Sequence, residues 1–193
     1  AYIRYAKNKD IKQTLNAVKR ELQKDTTRLD ILQEVAKLHY FQKEYDSAYR
    51  YYKSYNEMKK ARGLDIYPQE DIKIGLTYEK MGFQEEADRL MASYTEYCEK
   101  DESIYQPASM AVKYAYEGKT KEAIEELEAF AAKNHFQYWI VLFMGLDPNL
   151  EKLEGHPQYQ GVMKKIENRF WENHNRLEET LQEKGLLWAT KMY

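Results

Sequence analysis

Apolar residues recur at helical spacing from the beginning of the chain. In residues 9–24 (KDIKQTLNAVKRELQK), they follow one another at steps of four, three and four positions. These steps place the apolar side chains on one face of an α-helix. The residues of this stripe are Ile11, Leu15, Val18 and Leu22. Residues 1–28 are therefore predicted to form an N-terminal helix, either the second helix of a truncated repeat or a cap.

A related pattern occurs in three longer segments. They are LQEVAKLHYFQKEYDSAYRYYKSY (32–55), DIKIGLTYEKMGFQEEADRLMASY (71–94) and PASMAVKYAYEGKTKEAIEELEAF (107–130). Each has an alanine in its second half and a small residue twelve positions earlier. These pairs are Ala36 and Ala48, Gly75 and Ala87, and Ala111 and Ala123. Small residues at both positions allow two paired helices to approach each other closely, and this contact also explains a glycine in the middle of a helix.

Glycine also marks the predicted turn between the paired helices. Gly82 and Gly118 stand five positions before the alanines of their segments, and Lys43 stands there in the first segment. Glycine is the residue that most readily adopts the left-handed conformation at a helix C-terminus. Four prolines and eight glycines in 193 residues leave little turn chemistry for a β-protein. We therefore expect an all-α protein.

The three segments resemble the tetratricopeptide repeat, a helix–turn–helix unit of about 34 residues. The resemblance implies antiparallel helical hairpins stacked as a right-handed superhelix over residues 29–135. The expected repeats are at about 29–62, 68–101 and 104–135. The usual tryptophan near the start of each first helix is absent, since Leu32, Asp71 and Pro107 stand there.

Residues 136–193 are expected to contain capping helices and a tail. A long helix is predicted at about 157–184, because apolar residues again recur on one face. These residues are Met163, Ile166, Phe170, Leu177 and Leu181. Such a helix would cover the apolar flank of the last repeat.

The segment 136–187 carries a second resemblance, to the end of the tetratricopeptide region of helix-turn-helix and TolB-like signalling regulators of Bacteroidetes. The residues that carry it are QYW (137–139), DP (147–148), HP (156–157), FWENH (170–174) and EKGLL (183–187). This resemblance implies the C-terminal module of a bacterial signalling or transcription regulator, and it implies no catalytic residue. The chain begins AYIRYAK without a methionine. We therefore expect a part of a longer bacterial protein, in either the cytoplasm or the periplasm.

Charge and hydropathy argue against two classes of partner. Charged residues make up 32% of the chain, and its net charge is −2. The lysines and arginines are scattered among acidic residues at helical spacings, which is typical of a solvated helix surface. The longest apolar run, YWIVLFMGL (138–146), is shorter than the ~20 residues that cross a bilayer. We expect this segment to contact neither nucleic acid nor a membrane.

For the residues that could take part in chemistry, the sequence favours structural roles. The single cysteine, Cys98, excludes an internal disulfide and is expected to pack between helices. His39 occupies a position that is usually tyrosine in the repeat, and His174 falls on the stripe of the last helix, so both are expected at core or boundary positions. No histidine pair has the spacing of a helical zinc site, and acid pairs such as Glu85 and Glu86 are typical of solvated faces. We predict no catalytic residue, no cofactor, no metal and hence no enzyme.

A partner would bind on the concave surface lined by the first helices of the repeats. The resemblance places there Gln33, Lys37, Tyr40, Ile72, Leu76, Lys80, Ser109, Val112 and Tyr116. Lys37 and Lys80 could meet carboxylates there, and the tyrosines could stack or donate hydrogen bonds. The chaperone-tail clamp of some tetratricopeptide proteins uses a lysine and asparagines. Gln33, Lys37 and Lys73 stand at those places, and without the asparagines chaperone binding is not expected.

The preferred function is a non-enzymatic scaffold that binds a protein or peptide. One alternative is a homo-oligomerisation module, such as a homodimer, that uses the last helix with an exposed Trp171 or Trp188. Another is a small-molecule sensor whose pocket is walled by residues 138–143 (YWIVLF), a run that is more often core. The 18 tyrosines suit either a binding groove or the filling of space between helices.

Overall fold

The computed structural model describes residues 2–186, and this part of the chain contains eleven α-helices and no strand. The chain divides into two compact units, unit 1 (residues 1–101) and unit 2 (residues 102–193). The predicted repeat span 29–135 crosses the division between them. Trp188 lies outside the described residues.

Unit 1 contains six helices. They are α1 (Tyr2–Asn8), α2 (Ile11–Lys24), α3 (Leu29–Phe41), α4 (Tyr45–Ala61), α5 (Asp71–Lys80) and α6 (Gln84–Lys100). Helix α3 packs against α4, and α5 packs against α6, while α2 covers α3 and α4 contacts α5. The apolar stripe predicted for α2 faces this core, since Leu15, Val18 and Leu22 are buried.

Up to residue 186, unit 2 contains five α-helices. They are α7 (Gln106–Tyr116), α8 (Thr120–Ala131), α9 (Tyr138–Phe143), α10 (Pro148–Glu151) and α11 (Tyr159–Glu183). Helices α7 and α8 pack as a pair, and α11 packs along α8 and α9. Each of the three predicted repeat spans thus contains two helices in contact with each other. None of the helices in the described part is long and apolar enough to cross a membrane.

The same turn joins the two helices of each pair. Lys43, Gly82 and Gly118 all have a left-handed backbone, with φ of 58°, 83° and 75°. One residue further on, a backbone N–H donates back to a carbonyl in the last turn of the preceding helix. These bonds run from Glu44 to His39, from Phe83 to Tyr78 and from Lys119 to Tyr114, at 2.9–3.0 Å. They satisfy carbonyls that the ending helix would otherwise leave unpaired.

The small residues of the three pairs are all buried. All five alanines of the three pairs have no exposed surface, and Gly75 is buried with them. A Cβ atom added to Gly75 would lie 3.1 Å from the Met91 sulfur and 3.5 Å from the Ala87 carbonyl oxygen. The neighbouring backbone therefore lies at ordinary contact distance, and the tightest neighbour of Gly75 is a flexible side chain.

Tyrosine fills the core of unit 1. Tyr40, Tyr52 and Tyr55 have no exposed surface, whereas Tyr49 and Tyr51 are half-buried. Burial raises the pKa of Tyr55, and the nearby Glu70 carboxylate adds to this effect. For the three buried residues, the filling of interhelical space is the role that the structure supports.

The stripe of α11 packs on unit 2 only in its first half. Val162 and Ile166 are buried, and Phe170 is partly buried against the same core. Leu177 is 58% exposed, and His174 is also exposed. The expectation of a core or boundary position is thus wrong for His174, because the helices that cover the start of α11 do not cover this part.

Candidate interaction surfaces

The structure buries four of the nine predicted groove residues. Gln33, Tyr40, Ile72 and Leu76 all belong to the interior of unit 1. Their side chains take part in the packing of α3 and α5, so they have no surface left for a partner. The expectation that they line a groove does not fit this burial.

The other five predicted residues keep some exposed surface. Lys37 is half-buried, and Lys80 is exposed with its Nζ atom 3.5 Å from Glu79. On α7 of unit 2, Ser109, Val112 and Tyr116 are half-buried. Partner binding by these five residues stays a prediction.

A network of charged side chains joins α3 to the start of α5 in unit 1. The Lys37 ammonium lies 2.6 Å from Glu34, and the Lys73 ammonium lies 3.0 Å from Glu70. Gln33 also hydrogen-bonds the Glu70 carboxylate. The Tyr52 hydroxyl donates to Glu70 at 3.4 Å, and the Tyr2 hydroxyl of α1 donates to Glu34. The network consists of Tyr2, Gln33, Glu34, Lys37, Tyr52, Glu70 and Lys73.

The two carboxylates of this network respond differently to burial. Burial by itself would raise the pKa of Glu70, but the charges of Lys73 and Lys37 and the hydrogen bond from Gln33 together lower it. Burial raises the pKa of Glu34, against the opposing effect of Lys37. Glu70 is therefore held as a carboxylate, and its charge is balanced inside the protein.

The chain places two acids at the beginning of α5. A short 3₁₀ turn, Pro68–Glu70, precedes the helix, and both Glu70 and Asp71 are buried. The helix dipole favours carboxylates at this end. Ser93 of α6 donates to Asp71 at 2.7 Å, while burial raises the pKa of Asp71. Neither acid was predicted from the sequence. Their signal was the run PQED, a proline followed by two acids before an apolar helix.

The charged network includes the residues that stand at the places of the chaperone-tail clamp. Lys37 and Lys73 stand at two of the places that correspond to the chaperone-tail clamp, and both are already paired with glutamates of the same unit. A partner's carboxylate would have to displace those glutamates, one of which is fully buried. The described structure therefore offers a poor carboxylate site at these two lysines.

A second candidate surface lies in unit 2, where α9 meets α11. The Tyr138 ring stacks on Phe170 with centroids 5.0 Å apart and meets the Trp171 ring edge-on at 5.6 Å. The His174 ring lies 5.4 Å from Trp171. Trp171 is 39% exposed although it is a large apolar residue. We refer to Tyr138, Phe170, Trp171 and His174 as the aromatic surface.

A neighbouring tryptophan is exposed as well. Trp139 is 47% exposed, and its ring stacks on Tyr105 at 5.5 Å. Its indole N–H donates to the Gln137 side chain at 2.7 Å, and the Gln137 backbone N–H donates to the Tyr105 hydroxyl at 3.0 Å. These bonds hold the ring in one orientation while leaving part of its face in water.

An open cleft of about 510 Å³ lies beside α9 in unit 2. Its walls include Ile140 and Val141 of the segment predicted to line a sensor pocket, together with Gly145 and Met163. Lys164 and Glu167 of α11 supply charged groups at the same cleft. Ile140, Leu142 and Phe143 are buried, so this segment also contributes to the core.

The other residues considered for chemistry lie in surroundings that indicate structural roles. Cys98 is buried. Among the described residues, no group of three or more histidine, cysteine, aspartate or glutamate side chains is placed to hold a metal ion. His39 is buried between helices, as expected from its position in the repeat.

Comparisons with known proteins name no family for this chain. No protein-family model matches it, and no curated protein matches its sequence. The resemblance to the tetratricopeptide repeat therefore stays a prediction.

Proposed function

We propose that this protein is a non-enzymatic interaction module that binds a protein partner through the aromatic surface. The observation that carries the proposal is the exposed Trp171 ring, held between Tyr138 and His174. Tryptophan and tyrosine are the residues that most often dominate binding energy at interfaces. Because neighbouring rings already fix Trp171, binding costs little side-chain entropy.

The sequence resemblance supports the same surface. Tyr138 comes from the QYW segment at 137–139, and the other three residues come from the FWENH segment at 170–174. These are two of the five segments that carry the resemblance to bacterial regulators, and they pack against each other. We therefore propose the C-terminal tetratricopeptide module of a bacterial signalling or transcription regulator, with its hairpins stacked as a right-handed superhelix.

The aromatic surface is preferred to the charged network because of the groups that each of them can offer a partner. In the charged network, Lys37 and Lys73 already have glutamate partners within 3.0 Å. The aromatic surface presents apolar rings to water, and burying them in an interface is favourable. A partner with an apolar patch gains more from the aromatic surface than an acidic partner gains from the network.

Quantitative pull-down with the full chain tests this proposal. The variant Trp171→Ser/Tyr138→Ser is compared with Phe83→Ser, which removes a similarly exposed aromatic side chain from unit 1. Removing a central aromatic residue commonly costs at least 2 kcal/mol, so partner affinity should fall about 30-fold or more. Phe83→Ser should bind as the wild type does.

Two results would contradict the proposed surface. The first is a partner that binds the Trp171→Ser/Tyr138→Ser variant with unchanged affinity. The second is a partner lost on charge reversal of Lys37 and Lys80 but kept by the aromatic variant, which would return the site to the predicted groove. Near-wild-type thermal unfolding of each variant is required before its binding is compared.

The cleft beside α9 supports a second candidate function, small-molecule sensing. Its volume of about 510 Å³ falls within the range of ligand sites in proteins. A thermal-shift screen should then yield a saturable ligand. Gly145→Phe should abolish that shift, because a Cβ atom at Gly145 meets only the Met163 methyl at 3.8 Å and the ring would grow into the cleft. A shift that survives Gly145→Phe would place the ligand elsewhere.

A further inference from the structure

A basic cleft lies between α1 and α2 in unit 1. The two helices form a tight hairpin, because Lys9 adopts a left-handed backbone with φ of 54° and Asp10 caps α2 through the Gln13 N–H. The open side of the hairpin forms a cleft of about 490 Å³. It is lined by Ile3, Arg4, Lys7, Gln13, Thr14, Ala17 and Arg20, which we call the basic cleft.

The charge around this cleft differs from that of the rest of the chain. Residues 1–24 contain seven basic and two acidic residues, a net charge of +5. Since the whole chain carries −2, the remaining residues carry −7. The even scattering of charge expected from the sequence therefore does not hold in this segment.

The cations of the cleft are available to an outside group. No ion pair within residues 2–186 involves Arg4, Lys7 or Arg20, and no acidic residue lines the cleft. Ile3 beside them is 81% exposed. An occupant that suits this cleft is a helix with acidic residues next to an apolar side chain.

The far end of α11 in unit 2 has this chemistry. Leu177 is 58% exposed, and Glu178, Glu179 and Glu183 are exposed and form no ion pair in the described part. Leu181, four residues after Leu177, lies on the same side of the helix. We call Leu177, Glu178, Glu179, Leu181 and Glu183 the acidic helix end. Arg176 and Lys184 flank it, and the segment 177–183 itself carries −3.

We propose that the acidic helix end of one copy of the chain docks in the basic cleft of a second copy, head to tail. Three unpaired cations meet three unpaired carboxylates, while Leu177 and Ile3 lose contact with water together. Because the two surfaces differ, the contact is heterologous, and it propagates as an open chain of copies or closes as a ring. This assembly does not depend on the aromatic surface binding a partner.

The contact is weak and sensitive to salt. Exposed ion pairs contribute little individually, and salt screens them over about 10 Å at 0.1 M ionic strength. Sedimentation velocity of the full chain should therefore show a mean mass that rises with protein concentration at about 50 mM NaCl. At about 500 mM NaCl the same samples should sediment as monomers.

Complementary charge reversal tests the pairing directly. The first variant is Arg4→Glu/Lys7→Glu/Arg20→Glu, and the second is Glu178→Lys/Glu179→Lys/Glu183→Lys. Each variant alone should remain monomeric, because both of its surfaces then carry the same sign of charge. An equimolar mixture should assemble as the wild type does, since opposite charges meet again at every contact. Restored assembly also shows that both variants are folded.

A matched control separates this contact from net charge. Lys53→Glu/Lys60→Glu/Lys121→Glu changes the charge by the same amount as the first variant, at exposed positions outside residues 1–24 and outside the cleft, and it should assemble like the wild type. A wild-type chain that is monomeric at every concentration and salt would overturn the proposal. A dimer that persists at about 500 mM NaCl and in both charge-reversal variants would also overturn it. The same holds if the two variants fold cooperatively but their mixture stays monomeric.

Discussion

The Nδ1 atom of His39 lies 2.5 Å from the Oε2 atom of Glu44 across the turn between α3 and α4. The His39 side chain is buried, and its ring stacks on Tyr51 of α4 with centroids 5.5 Å apart. Its other nitrogen, Nε2, is buried without a hydrogen-bond partner in the described structure. The neutral ring with its proton on Nδ1 fits this site, because it donates to Glu44 and leaves no donor unpaired.

Protonation of His39 would bury a charge and an unpaired N–H. Burial lowers the pKa of His39, the hydrogen bond to Glu44 opposes that effect, and the charge of Lys19 on α2 adds to it. Lys19 lies over the Tyr51 ring, 5.6 Å from its centroid. The charged groups facing His39 thus come from α2 and from the start of α4.

We predict that acid weakens the fold through His39. The folded pKa lies below the unfolded value of 6.5, so the unfolded chain takes up the proton first as the pH falls. The stabilisation by neutral His39 is complete above about pH 6.5 and declines toward the folded pKa, with a limiting slope of about 1.4 kcal/mol per pH unit. Urea unfolding from about pH 8 to 5.5 measures this slope.

The variant His39→Phe isolates the contribution of His39. Phenylalanine retains a ring that can stack on Tyr51 but does not titrate, so the stability advantage of the wild type should shrink as the pH falls. His174→Gln, which removes an exposed histidine, should keep the wild-type slope. A difference between wild type and His39→Phe that is constant with pH would show that His39 does not titrate differently in the two states.

Lys43→Gly should stabilise the protein. Lys43 adopts a left-handed backbone with φ of 58°, where the matching turns have glycine. This conformation costs an L-residue about 1–2 kcal/mol, so we expect a gain of about 0.5–1 kcal/mol after the larger entropy loss of glycine. Lys53→Gly, at an exposed position within α4, should instead lose about 1 kcal/mol. Equal losses for the two variants in urea unfolding would contradict the prediction.

Glu70→Gln should destabilise unit 1 strongly. The substitution leaves Lys73 without its counter-charge, while Lys37 keeps Glu34. Removing one partner of a buried pair costs about 3–5 kcal/mol. Glu96→Gln breaks an exposed pair with Lys100 and should cost at most about 0.5 kcal/mol. Chemical denaturation of both variants at neutral pH gives the comparison, and similar small losses would mean that the Glu70 charge is not needed.

The pH dependence of Glu70→Gln has a definite sign. The folded pKa of Glu70 lies below its unfolded value of 4.5. Its ionic contribution is therefore present above about pH 4.5 and is lost as the pH falls through the folded pKa. The stability difference between wild type and Glu70→Gln should shrink in that acidic range. A stability difference that grows on acidification would show that the pKa of Glu70 is raised, and not lowered, in the folded protein.

Gly75→Ala should be tolerated, whereas Gly75→Val should not. Alanine gains up to about 1 kcal/mol of helix propensity, and its Cβ needs only a small shift of the Met91 sulfur, 3.1 Å away. Valine adds two methyl groups against α6 and should lose about 1–3 kcal/mol. Gly161→Ala in α11 is the control: the added Cβ atom meets nothing within 4 Å, so the change in stability measures helix propensity alone. A loss above about 2 kcal/mol for Gly75→Ala would show that Met91 cannot move.

The helices and their turns could be predicted because they depend on short-range interactions. The spacing of Leu15, Val18 and Leu22 specifies the buried face of α2 wherever the helix packs. The left-handed turns at Gly82 and Gly118 depend on the backbone freedom of one residue. These features need no information about distant parts of the chain.

The interaction surfaces could not be predicted in the same way. Whether Glu70 is buried as a charge depends on Lys37, which α3 brings to it from 33 positions earlier in the sequence. The resemblance to the repeat places Tyr40, Ile72 and Leu76 on an exposed concave surface, yet they are buried in unit 1. Spacing assigns residues to one face of a helix, but how many faces of that helix are covered depends on the packed unit.

The amino-acid sequence by itself determined the helical class, the paired helices and the positions of their turns, since each depends on residues within one or two helical turns. Only the tertiary structure decided which side chains remain in water. The stripe of α11 is continuous in sequence from Met163 to Leu181, but α8 and α9 cover only its first part. Leu177 is exposed for that reason, because the desolvation of an apolar side chain requires neighbours that the helix cannot supply alone.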